Sequence, residues 1–122
     1  MRLLLAVLLT AFWAGPSFSQ MAAAPQAPSY VGRWYIEDPA VCKGRDQEGL
    51  LVYGAKQVEG YEYSCDVTRT RTKGKRTEVT LRCLGEGRTS IEKETVEVVD
   101  GRLKRTIKVN GKARMVDYHR CP

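Results

Sequence analysis

The stretch that decides the fold, Gly60–Gly85, reads GYEYSCDVTRTRTKGKRTEVTLRCLG. In its first arm, Tyr61–Thr68, apolar residues and a cysteine alternate with polar residues, and Glu78–Cys83 repeats the same period of two. This alternation is typical of strands that bury one face. Gly74, between the arms, suits a turn because glycine tolerates a positive φ. The stretch is therefore predicted to be a β-hairpin.

The register of this hairpin follows if positions equidistant from Gly74 face each other. Four pairs then meet: Cys65–Cys83 and Val67–Leu81 on one face, and Asp66–Arg82 and Thr68–Thr80 on the other. Pairs of opposite charge and Thr–Thr pairs stabilise neighbouring strands by ~0.2–1 kcal/mol each. One register satisfies all four pairs, so we adopt it.

The N-terminal residues 1–19 are predicted to be a cleavable signal peptide. Arg2 supplies a positive start, Leu3–Leu9 is wholly apolar, and the small residues Ser17 and Ser19 precede a cleavage site. A second possible site follows Ala22 and Ala24. The apolar run is shorter than the ~20 residues that a membrane span needs. No cysteine precedes Cys42, which excludes a lipoprotein signal. We expect a periplasmic or secreted protein with no membrane span.

The 122 residues allow one folded domain. Residues 20–29, rich in alanine and proline, are predicted to be a disordered lead. The single β-domain is then 30–122, small enough to need covalent support. The formal charge of +6 becomes +5 when Arg2 is removed with the signal peptide.

Four cysteines in an exported chain predict two disulfides. The hairpin register favours Cys65–Cys83, which leaves Cys42–Cys121; the chain-entropy model gives ~3 and ~4–5 kcal/mol for them. The competing pairing is Cys42–Cys65 with Cys83–Cys121. The cysteines form no C-x-x-C motif, and the lone histidine cannot complete a zinc set of familiar spacing. We expect no metal and no cofactor.

The rest of the domain is also read as strands separated by turns. Outside the hairpin, the predicted strands are Tyr30–Ile36, Leu50–Tyr53, Ser90–Val99, Leu103–Val109 and Ala113–Arg120. No segment has a helical period with caps. The regular spacing predicts an all-β fold, a small antiparallel meander barrel of about seven strands; a sandwich is the other architecture that it allows. Closure would place the last strand beside the first.

Asp100-Gly101 and Asn110-Gly111 predict the last two hairpins. Loops of three residues would pair apolar with apolar and basic with acidic residues, whereas loops of two residues would mix apolar and basic residues on one face. We prefer three-residue loops, which give the pairs Val109–Ala113, Ile107–Met115 and Arg105–Asp117 and let Glu97 reach Arg105.

The first predicted strand contains Gly32-Arg33-Trp34, which resembles the G-x-W signature of lipocalins and related calycin barrels. In size and in its terminal Arg-Cys, the chain is similar to small exported bacterial barrels that include inhibitors of proteases and lysozymes. The resemblance implies that Trp34 plugs one barrel end, with Arg120, or second Arg114, packed across it. It also implies a binding or inhibitory barrel without chemistry of its own. The loops that such inhibitors use are not recognisable in this chain.

The hairpin turn is strongly basic, with five cations in eight residues: Arg69, Arg71, Lys73, Lys75 and Arg76. Such a cluster indicates a contact for an anionic macromolecule or protein partner. The other interpretation is a solvated tip that resists edge-to-edge aggregation. We do not expect a nucleic-acid partner, because no aromatic residues interleave with the cations to stack on bases. We expect a monomer.

Other candidate groups carry little chemistry. His119 lacks a motif that would supply a nucleophile. Glu92, Glu94 and Glu97 alternate with a lysine as expected for a solvated outer face. The six tyrosines fit core filling better than a ligand pocket. No catalytic residue is predicted. The sequence therefore predicts a non-enzymatic binding module; the alternative is a lipocalin-like carrier of a small apolar ligand.

Overall fold

The computed structural model describes residues 11, 14–17 and 26–122. Most of the predicted signal peptide and most of the predicted lead lie outside the described residues. The last two residues of that lead contact the barrel: Val31 N donates to Pro28 O at 3.0 Å, and Arg120 Nη2 donates to Ser29 O at 2.8 Å. Within the described residues, Pro28 and Ser29 of the predicted lead thus contact the domain.

The described chain forms a closed barrel of eight antiparallel strands in chain order. The strands are β1 Gly32–Tyr35, β2 Leu50–Tyr53, β3 Gln57–Gly60, β4 Tyr63–Lys73, β5 Arg76–Gly85, β6 Arg88–Val99, β7 Arg102–Val109 and β8 Lys112–Arg120, with a 3-10 helix at Pro39–Lys43. β8 closes the barrel by pairing with β1. The predicted meander barrel is confirmed. Its additional strand is β3, whose four residues are too few to show alternation.

The hairpin register is confirmed near the cysteines and wrong beyond them. Cys65 faces Cys83, Asp66 faces Arg82 and Val67 faces Leu81, but the pairing then shifts, so that Arg69 and not Thr68 faces Thr80. Thr68 is the extra residue of a β-bulge, and its hydroxyl donates to Thr80 O at 3.1 Å. The extra residue leaves a two-residue turn, Gly74-Lys75, in which Gly74 has φ +60°.

The three-residue loops predicted for the last two hairpins are wrong. Asp100-Gly101 and Asn110-Gly111 both have positive φ at each residue, which makes two-residue type I′ turns. Arg105 therefore faces Val116 instead of Asp117, Ile107 faces Arg114, and Val109 faces Lys112. Glu97 faces Lys104. The prediction failed because it did not allow for a charged side chain facing inward.

The core consists of the inward-facing side chains of all eight strands. The largest fully buried ones are Trp34, Tyr53, Leu51, Leu81, Leu103, Val58, Val79 and Val96. Both preferred disulfides are confirmed: Cys65–Cys83 joins β4 to β5 inside the core, and Cys42–Cys121 ties the β1–β2 connection to the end of the chain.

One end of the barrel is built around Trp34. The Arg120 guanidinium lies 4.2 Å from the centre of the Trp34 ring, and Trp34 Nε1 donates to Tyr30 O at 2.9 Å. Gly32 has φ +154°, and a Cβ there would lie 2.9 Å from Arg120 Nη1. Glycine at this position therefore lets the guanidinium of Arg120, and not that of Arg114, cover the indole.

Candidate anion-binding groove

A cleft of about 370 Å³ lies on the outer face of β4–β8. Its outward-facing lining is Arg69, Arg71, Glu78, Thr80, Lys93, Thr95, Thr106, Lys108 and Ala113. Side chains alternate between the two faces of a strand, and Val79, Glu94 and Arg105, which neighbour these positions, are buried. We call this cleft the basic groove.

The bulge at Thr68 puts the β4 cations into the groove. Without the extra residue, Arg69 and Arg71 would share the inward face of Cys65, because a one-residue shift moves each side chain to the other face. With it, Arg69 pairs with Thr80 and Arg71 with Glu78, both outward positions of β5. A local irregularity that the alternation pattern hides thus decides where the cations point.

Strand pairing then adds cations from distant parts of the chain. Lys93 of β6 faces Thr80, and Lys108 of β7 faces Ala113 across the next hairpin. Thr95 and Thr106 face each other and give the groove floor hydroxyl groups. The sequence did not indicate these lysines, because neither has a basic neighbour in its own strand.

The groove has an excess of positive charge. Its lining has four cations, Arg69, Arg71, Lys93 and Lys108, against two acids, Glu78 and Glu94, and Glu94 is neutralised by its ion pair with Arg105. In the described part of the chain, the ion pairs are Arg76–Glu97 and Arg105–Glu94, so none of these four cations is in one. All four are exposed. Exposed cations of this kind attract an anion, and the attraction weakens as the salt concentration rises.

The five cations predicted to act together are separated by the fold. Arg69 and Arg71 line the basic groove, whereas Lys73 faces Arg76 one row further along and Lys75 lies in the turn. Arg76 donates to Glu97 at 3.3 Å, beside a smaller cleft of about 150 Å³. The basic groove thus includes two of the five predicted cations, Arg69 and Arg71, and brings Lys93 and Lys108 beside them.

A second cleft, of about 420 Å³, lies beside the β1–β2 connection and has mixed charge. It includes Arg33, Arg45, Asp46 and Glu59 in its lining. The Arg33 side chain binds the backbone of the β1–β2 connection: its Nη2 donates to Cys42 O at 2.9 Å and to Gly44 O at 2.8 Å. This cleft has no comparable excess of charge.

A buried ion pair lies inside the barrel. Arg105 binds Glu94 through two hydrogen bonds, from Nε to Oε2 and from Nη2 to Oε1, and its Nη1 donates to Tyr63 Oη at 3.0 Å and Tyr118 Oη at 3.4 Å. Burial acts to lower the pKa of Arg105, but hydrogen bonds from its guanidinium to Glu94 and the charge of that carboxylate outweigh burial and raise it. The prediction that Glu94 lies on the solvated face is wrong.

Burial also affects the interior tyrosines. The pKa of Tyr53 is raised, first by burial and then by the charge of Glu94, and its hydroxyl has no hydrogen-bond partner among the described residues. Burial raises the pKa of Tyr118, although Arg105 acts in the opposite direction. These groups complete the core in their neutral forms.

Another sequence candidate, His119, lies at the end of the barrel where β8 pairs with β1. His119 stacks on Tyr35, with 5.2 Å between ring centres. Within residues 11, 14–17 and 26–122, no three His, Cys, Asp or Glu side chains are grouped so as to hold a metal ion. None of the helices in those ranges has the length and apolarity needed to cross a membrane. No protein-family model, curated protein or solved structure matches this chain.

Proposed function

We propose that this protein is an exported binding module without enzymatic activity, which contacts an anionic macromolecule or protein surface through the basic groove. The observation that carries the proposal is the set of four exposed cations, outside any ion pair of the described residues, around one concave surface. Cations that only kept a hairpin tip soluble would not need to converge from β4, β6 and β7.

The nature of the interior supports this function better than the alternative of carrying a small apolar ligand. Buried positions inside the barrel hold Tyr53, Tyr118 and the Glu94–Arg105 pair. Bulky side chains and a buried charge pair suit a filled core, whereas an apolar ligand needs an apolar cavity. The carrier function therefore has no observation in its favour.

The partner is best sought among acidic components of the envelope or extracellular space. The formal charge of the whole chain is +6, and the groove adds a local concentration of cations. The described residues that line the groove include no aromatic side chain, which does not favour single-stranded nucleic acid, whose bases stack on aromatic rings. An acidic protein surface or a polyanionic glycan offers the complementary charge.

The test compares two triple variants of the mature, oxidised protein. Arg69→Glu/Arg71→Glu/Lys93→Glu changes the groove, and Lys43→Glu/Lys56→Glu/Arg102→Glu makes the same charge change at three exposed positions outside it. Binding to immobilised dextran sulfate is measured for both. We expect the groove variant to lose at least about tenfold more affinity than the control. Equal losses would show that only net charge matters and would contradict the proposal.

A further inference from the structure

The hydrogen-bond ladder between β6 and β7 is incomplete. The two strands pair only from Thr95–Thr106 to Val99–Arg102, whereas β6 begins at Arg88 and β7 continues to Val109. Residues Arg88–Glu94 therefore pair with β5 on one side and, among the described residues, with no strand on the other. We call the unpaired side of Arg88–Glu94 the open edge. It spans about 23 Å at 3.3 Å per residue.

The disulfide shows which backbone groups point to the open edge. The Cα atoms of Cys65 and Cys83 lie 4.0 Å apart, close to the spacing of a non-hydrogen-bonded pair, about 4.5 Å, and not to the 5.5 Å of a hydrogen-bonded pair. The N–H and C=O of Cys83 then point to β6, and those of its partner Ser90 point back to β5. Because this direction alternates, the backbone groups of Thr89, Ile91 and Lys93 face the open edge.

The two faces beside the open edge differ in charge: the exposed Glu92 lies on the inward face, opposite Leu81, whereas the outward face carries lysines. Lys93 and Lys108, on either side of the place where β6 and β7 separate, also line the basic groove. Ile91 is 66% exposed and Val109 is 42% exposed. An extended acidic segment would place carboxylates near the lysines and its alternate, apolar side chains near Val109. A row of free backbone donors and acceptors beside such cations fits a polypeptide strand better than a glycan.

We propose that the open edge binds an extended acidic peptide segment of a partner protein, which adds as a strand beside β6. Strand addition derives affinity from main-chain hydrogen bonds and selectivity from alternate side chains. The inference rests on the proposed function, because it identifies the anionic partner as a polypeptide and the groove lysines as its charge contacts. The backbone groups of Thr89, Ile91 and Lys93 that face the open edge can form up to six hydrogen bonds with such a strand.

Two other occupants fit less well. A second copy of the chain would bring Arg88 and Lys93 together with Glu92 and Glu94, so it offers no excess of negative charge to Lys93 and Lys108. The chain's own residues 20–29, QMAAAPQAPS, contain no acid, and their two prolines lack the N–H that a ladder needs. An acidic segment of another protein remains the complementary occupant.

The test uses the mature, oxidised protein and a capped peptide, Glu-Val-Glu-Val-Glu-Val-Glu. Its control carries N-methyl groups on alternate amides, which removes main-chain donors and keeps every charge. Two protein variants complement the peptides. Ile91→Pro removes one N–H at the open edge and no donor to β5. Ile91→Ala removes the same side chain but keeps the N–H. Titration calorimetry gives the affinities, and amide hydrogen exchange reports on β6.

We expect the peptide to bind and to slow exchange at Thr89, Ile91 and Lys93. N-methylation and Ile91→Pro should each weaken binding about tenfold, and Ile91→Ala clearly less. Equal affinity of the N-methylated peptide, unchanged exchange at β6 or no peptide binding would overturn the inference. If dextran sulfate still binds through the groove in that case, the proposed function stands without strand addition. Dimer formation by the free protein is measured by sedimentation. If exchange at β6 slows as the dimer forms, the open edge binds a second copy, which would also overturn the inference.

Discussion

Arg105 and Arg71 show two opposite uses of the same side chain. Arg105 is 7% exposed and is bound to Glu94, Tyr63 and Tyr118. Arg71 lies on the outer face, exposed and outside the ion pairs of the described chain. A guanidinium held by fixed partners contributes to the fold, whereas one left to water keeps its charge available to a partner. The comparison separates residues that maintain the barrel from residues that bind.

The largest expected effect is loss of the interior pair. Arg105→Met should lower the free energy of unfolding by about 3–5 kcal/mol, because Glu94 is left buried without a countercharge. Urea unfolding measures this loss. The double variant Arg105→Met/Glu94→Leu should recover most of it, since no buried charge remains. A single variant within about 1 kcal/mol of the wild type would break the distinction between the two arginines.

A smaller loss should follow from crowding the ring that supports Arg105. A Cβ at Gly60 would overlap the Tyr63 ring, whose hydroxyl accepts from Arg105 Nη1 at 3.0 Å. Gly60→Ala should therefore destabilise the barrel by about 1–3 kcal/mol in thermal or urea unfolding. Gly85→Ala is the matched control, because its Cβ would meet Tyr63 Cβ at an ordinary 3.5 Å. Equal stability of the two variants would argue against this packing.

Alkaline pH offers a graded test of the interior. The pKa of Tyr53 is raised by burial and that of Tyr118 is raised as well, so the folded state holds both protons more tightly than the unfolded chain. Their contribution to the free energy of unfolding is then complete below pH ~10 and is lost as pH rises. For each tyrosine, the loss is at most ~1.4 kcal/mol per pH unit. Unfolding at several pH values should show this slope, and Tyr53→Phe should reduce it. An unchanged slope in that variant would contradict the assignment to Tyr53.

The smallest stability effect is expected outside the barrel. Arg71→Gln should change the free energy of unfolding by no more than about 0.5 kcal/mol, because an exposed side chain without a fixed partner contributes little. The same substitution should weaken binding to dextran sulfate. Urea unfolding and binding measured on one preparation compare the two quantities. A loss of stability similar to that of Gly60→Ala would show that Arg71 is structural.

The sequence predicted the parts of the fold that depend on local alternation and covalent geometry. The barrel class, both disulfides, the register around Cys65 and Cys83 and closure of β8 on β1 all follow from period-two patterns, turn residues and cysteine count. The bulge at Thr68 could not be predicted from alternation, because a bulge changes the pairing of the strand and not the residue types that it contains. That one residue places Arg69 and Arg71 on the outer face, in the basic groove.

The interior pair escaped prediction for a different reason. Glu94 and Arg105 each lie among polar neighbours, so each alone suggests a solvent face, and only the two-residue turns bring them together inside the barrel. The preference for apolar pairs led to the wrong register. Lys93 and Lys108 were missed likewise, since their proximity depends on strand pairing and not on spacing in the chain. Sites built across strands need the register before they can be recognised.

The most direct test of the central claim is the salt dependence of binding to dextran sulfate. The logarithm of the dissociation constant is plotted against the logarithm of salt concentration for the wild type, Arg71→Gln and the exposed control Arg102→Gln. If Arg71 contacts the polyanion, its loss should reduce the slope by about one, whereas Arg102→Gln should leave the slope unchanged. A slope that stays the same in Arg71→Gln, or falls equally in both variants, would contradict the basic groove as the binding site.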